Sequence, residues 1–181
     1  MMNTLSPYIF TVPDFLSPKE CQFWIERTEA GGYEEALVNW GGKQVKITSV
    51  RNNERFMLDD HALERQMWER VKDYVPQTVG NMTACGLNER FRFYKYQPGH
   101  RFKPHQDGSY RRGPGEWSEY TFMVYLNEDM EGGATNFKDI SIKPETGMAL
   151  IFKHELPHEG AKVTAGLKYV LRSDVMYRRN A

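Results

Sequence analysis

The chain is 181 residues long, 40% hydrophobic, 27% charged and 13% aromatic, a globular composition with enough length to bury one substantial core. Its 24 lysines and arginines balance 24 aspartates and glutamates, which excludes a global field drawing it to nucleic acid or an anionic membrane and leaves only the local basic pair Arg111 and Arg112. No apolar run approaches the roughly 20 residues of a membrane-spanning helix. MMNTLSPYIF also lacks the basic start and apolar run of a secretory signal, so a cytoplasmic protein with Cys21 and Cys85 reduced is expected.

In chain order, Ser17 before Pro18 reads as an N-cap and first-turn pair. The helix it opens carries Cys21, Trp24, Ile25 and Thr28 on one stripe and stops at Gly31-Gly32. A second helix is expected from about Asp60 to Val75, with Leu63, Met67, Val71, Tyr74 and Val75 on one face and Pro76 ending it. Between them, GGYEEALVNWGGKQVKITSVRNNERF has the short alternating segments of strands joined by a mobile loop at about 34–50. After Leu87 the segments RFRFYKYQ, EYTFMVYLN, ATNFKDISIKP, GMALIFKH and LKYVLRSDVMY are aromatic or β-branched and separated by turn residues. The series predicts a mainly β fold, an antiparallel sandwich or jelly-roll barrel with the N-terminal helices against one outer face. One domain over 1–181 is expected, with 1–87 as support and 88–177 carrying the chemistry.

The stretch YQPGHRFKPHQDGSY holds His100, His105 and Asp107. On an extended strand His105 and Asp107 project to the same side, close enough to bind one divalent metal. Two ligands seldom suffice. Of the remaining histidines, His61 opens a helix and His100 sits in a Pro-Gly turn, whereas His154 and His158 both follow the apolar strand GMALIFK. His158 is favoured as third ligand and His154 is the alternative. Two histidines and one carboxylate on one face suit Fe(II) and leave sites open. Zinc hydrolysis is the competing use of such ligands, but the helical H-E-x-x-H that would accompany it is missing.

Further on, alternation along LKYVLRSDVMY puts Lys168, Val170, Arg172, Asp174 and Met176 on one face. That face is either solvated, with Arg172 and Asp174 in an ordinary ion pair, or turned into the fold. A buried ammonium at Lys168 would need an anion, which the far end of a dicarboxylate cosubstrate would supply.

The pieces FYKYQPGHRFKPHQDGSY, TFMVYLNEDMEGGATNF and GMALIFKHELPHEGAKVTAGLKYVLRSDVMY together resemble the Fe(II)/2-oxoglutarate-dependent dioxygenase superfamily, in its prolyl 4-hydroxylase-like branch, over roughly residues 88–177. The resemblance implies a double-stranded β-helix with iron held by His105, Asp107 and His158 and the distal carboxylate of 2-oxoglutarate on Lys168. It puts Tyr96 and Tyr125 beside the cosubstrate, adds Thr121 and Arg172 as pocket-lining candidates, and makes Gly132-Gly133 a tight turn. The presence of Asp107, where halogenating relatives carry a small residue, favours oxygenation. The implied reaction uses Fe(II), 2-oxoglutarate and O₂, with ascorbate as an aid, and hydroxylates an unactivated C–H bond with release of succinate and CO₂.

The resemblance alone favours a prolyl residue in a peptide or protein as substrate. A free amino acid or small metabolite is the alternative, and from a different class, a low-turnover oxygen- or 2-oxoglutarate-responsive binding module. Substrate-facing candidates on segments around the mouth are Trp40, Asn53, Arg55, Tyr110, Arg111, Arg112 and Trp117.

Overall fold

The computed structural model describes residues 1–35, 38–40, 43–45 and 52–180. Helix α1 (Pro18–Gly31) opens on a reciprocal cap. The Glu20 N–H donates to Ser17 Oγ at 3.3 Å, and the Ser17 N–H donates to the Glu20 carboxylate at 2.7 Å. Cys21, Trp24 and Thr28 are buried along its inner stripe, and Ile25 is half-buried. Helix α2 (His61–Val71) is capped by Asp60, whose Oδ1 accepts from the Ala62 and Leu63 N–H groups at 2.9 Å each. The α-helix ends at Val71 rather than Val75, and Lys72–Tyr74 tighten into a 3₁₀ turn. Pro76 disfavours a helical conformation at the residue before it, and Val75 is accordingly extended.

The strands that build the site are β1 (Ile9–Val12), β2 (Glu54–Asp59), β3 (Met82–Leu87), β4 (Arg90–Tyr96), β5 (Phe102–His105), β6 (Glu116–Tyr125), β7 (Thr135–Asn136), β8 (Ser141–Ile142), β9 (Ala149–Lys153), β10 (His158–Gly160) and β11 (Lys168–Arg179). The larger sheet is ordered Asn3–Ser6, β1, β9, β6, β11, β4, β2, Glu34–Glu35. The smaller one is ordered β5, β10, β7, β8. Every pairing is antiparallel. Strand β11 is long enough to pair twice on one edge, with β4 through Lys168–Arg172 and with β3 through Val175–Arg179.

Alternation divides the large sheet into two cores. Phe91, Phe93, Phe122, Val124, Ile151, Leu171, Val175 and Tyr177 pack with Trp24, Leu63, Met67 and Val71 of the helices. Tyr94, Tyr96, Met123, Tyr125, Leu150, Phe152 and Val170 form a second cluster with Ile142 of the small sheet. Lys168, Arg172 and Asp174 of β11 alternate with Val170 onto the second side. Lys168, Arg172 and Asp174 are all buried, so the solvated-face reading of this strand does not hold.

Val38–Trp40 and Lys43–Val45 pair as a hairpin. Of the expected loop at about 34–50, Glu34–Glu35 also form a strand, and the remainder, with the side chain of Trp40, lies outside the described residues. Cys21 and Cys85 are both free. Among the described residues no helix is long and apolar enough to cross a membrane.

Candidate metal and cosubstrate site

The cavity between the two sheets is lined by Tyr94, Tyr96, Thr121, Met123, Lys168, Val170 and Arg172 from the large sheet and by Phe102, His105, Thr135, His158 and Gly160 from the small one, with Asp107 and Phe152. Register sets these neighbours. Lys168 lies opposite Tyr96 on β4, Thr121 opposite Asp174 on β11, and His105 opposite His158 across β5 and β10.

His105, Asp107 and His158 each offer a ligand atom, all within 4.8 Å of one another. The route to this cluster differs from the expected one. Strand β5 ends at His105, and Asp107 lies beyond it in an irregular segment, so pleat alternation does not align the pair. The Asp107 N–H instead donates to the His154 carbonyl at 3.0 Å, which turns the chain back toward the cavity.

Both histidines are held in one way. His105 Nδ1 is 2.7 Å from the Lys103 carbonyl and His158 Nδ1 is 2.9 Å from the Leu156 carbonyl, each two residues upstream. A carbonyl only accepts, so Nδ1 carries the proton and Nε2 keeps its lone pair. The two Nε2 atoms stand 3.5 and 3.7 Å from Asp107 Oδ1 and Oδ2. Burial pushes the His158 imidazole down to about 4, leaving it neutral. Burial alone would raise the Asp107 carboxyl, but the Arg172 guanidinium and then His105 hold it well below the usual carboxylate range. The Phe102 ring stacks on His105 with centroids 3.5 Å apart.

His154, the alternative ligand, is occupied elsewhere. Its Nδ1 is 3.0 Å from Thr121 Oγ and its Nε2 is 2.8 Å from Ser118 Oγ. His100 Nδ1 accepts from the Gln97 N–H at 3.2 Å in its turn.

Lys168 is 2% exposed, and its Nζ donates to the Gly133 carbonyl at 2.6 Å. The rings of Tyr96 and Tyr125 lie 5.1 and 5.4 Å from it. No carboxylate of the described residues pairs with it, and burial pushes its ammonium down to about 7. Tyr125 Oη shares a 2.6 Å hydrogen bond with Thr135 Oγ1. Arg172 pairs with Asp107 at 3.0 Å as well as with Asp174 at 3.4 Å.

Six of the substrate-facing candidates, Asn53, Arg55, Tyr110, Arg111, Arg112 and Trp117, have described side chains. Asn53 is buried and donates to the Glu54 carbonyl at 3.2 Å, and Arg55 sits on β2 opposite Tyr94. The Tyr110 N–H is spent on Ser118 Oγ at 2.9 Å. Arg111 stacks over Trp117 at 5.1 Å, and the Trp117 Nε1–H donates to Glu119 at 2.5 Å. Arg112 is tied to Glu89 at 2.6 Å, to Glu116, and to the Leu87 carbonyl at 3.0 Å. None of these six lines the cavity. Sequence reasoning passed over Tyr94, Phe102, Met123, Thr135, Phe152 and Val170, which do. Tyr94 had a usable signal, since it stands two before Tyr96 on one strand and shares its face. Phe102 had none, because it stands three residues before His105 on the strand and its stacking goes with a register irregularity between them.

Two imidazole lone pairs and one ionised carboxylate converge here from a β fold, beside a buried ammonium that has no carboxylate partner among the described residues. Residues 91–173 match the family model of the 2OG-Fe(II) oxygenase superfamily. The family uses Fe(II), 2-oxoglutarate and O₂. Within it the likeness is to the prolyl 4-hydroxylase-like branch. Prolyl 4-hydroxylase 1 of Arabidopsis thaliana is 26% identical over an alignment covering 81% of this chain, and the chain spans 58% of that relative's length. Among solved structures, the 2OG complex of the viral collagen prolyl hydroxylase from Paramecium Bursaria Chlorella virus-1 aligns with a TM-score of 0.67 at 21% identity, over 96% of this chain and 97% of that one. A prolyl hydroxylase from Trichoplax adhaerens, in complex with a hypoxia inducible factor oxygen degradation domain peptide fragment, gives 0.74 at 16% identity, over 94% and 84%.

The residues present fit both groups. The donor set is that of a facial Fe(II) site. The cation at Lys168, taken out of water and held among the described residues by a neutral carbonyl, is what a distal carboxylate would complete.

Proposed function

We propose that this chain is an Fe(II)- and 2-oxoglutarate-dependent hydroxylase acting on an unactivated C–H bond, with a prolyl residue of a peptide or protein as its substrate. The observation that carries the reading is Lys168, a buried ammonium without a carboxylate partner among the described residues, lining the same cavity as His105, Asp107 and His158. The prolyl preference rests on the relatives, one of which was solved with a peptide fragment. We read the two sheets as a double-stranded β-helix and 1–181 as one unit, with 88–177 carrying the chemistry.

In this reading His105 and His158 present Nε2, and Asp107 its carboxylate, to the iron. Lys168 takes the distal carboxylate of 2-oxoglutarate, and the Tyr96 and Tyr125 rings flank the ammonium and keep water from it. When bound, iron and keto acid supply the oxidising power that turns 2-oxoglutarate and O₂ into succinate, CO₂ and a hydroxylated product. Met123, Phe152 and Val170 keep the cavity wall apolar. No side chain is required as a general base, so the work of the protein is ligation, orientation and exclusion of water.

The test is turnover with Fe(II), ascorbate and 2-oxoglutarate, reading succinate with and without proline-containing peptides or free amino acids. Peptide-stimulated succinate and a peptide mass gain of one oxygen atom are expected, and His105→Ala or Asp107→Ala abolishes both. Undiminished succinate in a metal-replete Asp107→Ala variant overturns the assignment. Stimulation by free amino acids alone overturns the peptide substrate.

A further inference from the structure

Both oxygens of the Asp107 carboxylate are held by groups other than the two histidines. Thr121 Oγ donates to Oδ2 at 2.5 Å, and Arg172 Nη1 stands 3.0 Å from Oδ1. Each oxygen thereby keeps one lone pair, and the His105 and His158 Nε2 atoms lie 3.5 and 3.7 Å from Oδ1 and Oδ2.

Thr121 is itself held. Its hydroxyl has one proton, which an ionised Asp107 must receive, so toward His154 Nδ1 at 3.0 Å it can only accept. The His154 Nδ1–H therefore donates to Thr121, and Nε2 accepts from Ser118 Oγ–H at 2.8 Å. Ser118 Oγ in turn accepts from the Tyr110 N–H at 2.9 Å. Every proton has one place to go, and the chain runs in a single direction, Tyr110 to Ser118 to His154 to Thr121 to Asp107. His154 also grips Asp107 a second way, through its backbone carbonyl.

This chain depends on an irregularity in β6. Ser118 and Thr121 are three residues apart and would face opposite sides of a regular strand. The pairing of β6 with β11 shifts register between Ser118 and Tyr120, a bulge at Glu119 that turns both hydroxyls toward the one imidazole. The carbonyl of the bulged Glu119 is used as well, accepting from the His154 N–H at 2.9 Å.

We propose that His154 is a positioning residue of the metal site: acting through Thr121, it fixes the rotation of the Asp107 carboxylate so that the free lone pairs face His105 and His158. The proposal rests on the reading that these three residues hold the metal. Partners of this kind, one bond removed from the ion, typically contribute 10–100-fold in metal affinity.

The experiment is Co(II) titration of the metal-free full chain without cosubstrate, followed by visible absorption, with thermal unfolding before and after metal. Thr121→Val keeps the shape and removes the hydroxyl; Thr121→Ser restores it. Thr121→Val is expected to weaken Co(II) binding about tenfold or more and to shift the absorption band, while Thr121→Ser stays within about threefold of wild type. His154→Phe should match Thr121→Val, and the double variant should be no worse than either, because both break one chain. A merely structural role would instead lower the unfolding temperature of the metal-free protein and leave Co(II) affinity unmoved, which overturns the proposal. So does a His154→Phe defect that Thr121→Val does not share. Should His154→Phe fail to fold, the Thr121→Val and Thr121→Ser pair decides alone. Asp107→Ala separates the two claims: if it binds Co(II) like wild type, the metal reading itself has failed.

Discussion

Arg172 is paired with two carboxylates at once, Asp107 at 3.0 Å and Asp174 at 3.4 Å, and Asp174 is paired in turn with Arg92. Four charges of alternating sign thus run from the candidate metal site into the sheet, and Asp174 is 1% exposed. Asn88 Nδ2 donates to the same Asp174 at 3.0 Å. Burying such charges costs several kcal/mol apiece, and the alternation offsets it.

Breaking that alternation has a definite expected cost. Asp174→Asn keeps the shape but removes the anion between Arg92 and Arg172, leaving Asp107 as the carboxylate still paired with Arg172. A loss of about 3–5 kcal/mol in urea unfolding is expected, as for one partner removed from a buried pair. A loss below about 1 kcal/mol would mean that water already screens the chain.

The ammonium of Lys168 gives a pH signature. Burial lowers it from 10.5 to about 7. Between those two values the unfolded chain holds a proton that the ligand-free folded protein lacks, so unfolding stability should rise with pH across that window. Wild type and Lys168→Met compared by thermal melts at pH 6 to 10, roughly the window of this shift, isolate the effect, because the variant lacks the rising component. Parallel curves for the two proteins would count against the buried cation.

The same residue ties cosubstrate binding to proton uptake. Below pH 7 the lysine is already charged. Above it, binding a distal carboxylate draws in one proton, so 2-oxoglutarate affinity of the Mn(II)-loaded protein should fall about tenfold per pH unit. Calorimetry in buffers of different ionisation heat measures that uptake directly, and zero protons at pH 8.5 would contradict the placement of the carboxylate on Lys168.

Two backbone positions should respond very differently. Gly147 has φ +80°, and a Cβ there would meet the Leu16 carbonyl oxygen at 2.0 Å. Gly147→Ala is expected to destabilise by at least about 2 kcal/mol, since both the conformation and the space are wrong. Asp60→Ala removes only the cap of α2 and should cost about 1 kcal/mol. Equal chemical-denaturation losses for the two would refute the distinction.

Much of this was legible from residue order. Alternation along LKYVLRSDVMY correctly put Lys168, Arg172 and Asp174 together, because the strand period is local and admits only two faces. The cap at Ser17 was legible for the same reason, the bonding groups lying within three residues. What the chain did with His105 and Asp107 was not legible. The pair was expected on one strand, yet the strand stops between them and a carbonyl from His154 turns the chain.

Residue order by itself determined the two helices, the succession of β segments, the donors available for a metal and the side of β11 on which the charges stand. Tertiary structure alone decided that His158 faces Asp107 while His154 faces two hydroxyls, and that Arg172 pairs with Asp107. The physical reason is range. Caps and alternation follow from bonds and sterics within a few residues, whereas these contacts depend on the register of strands distant in sequence and on a bulge at Glu119 that no local pattern announces.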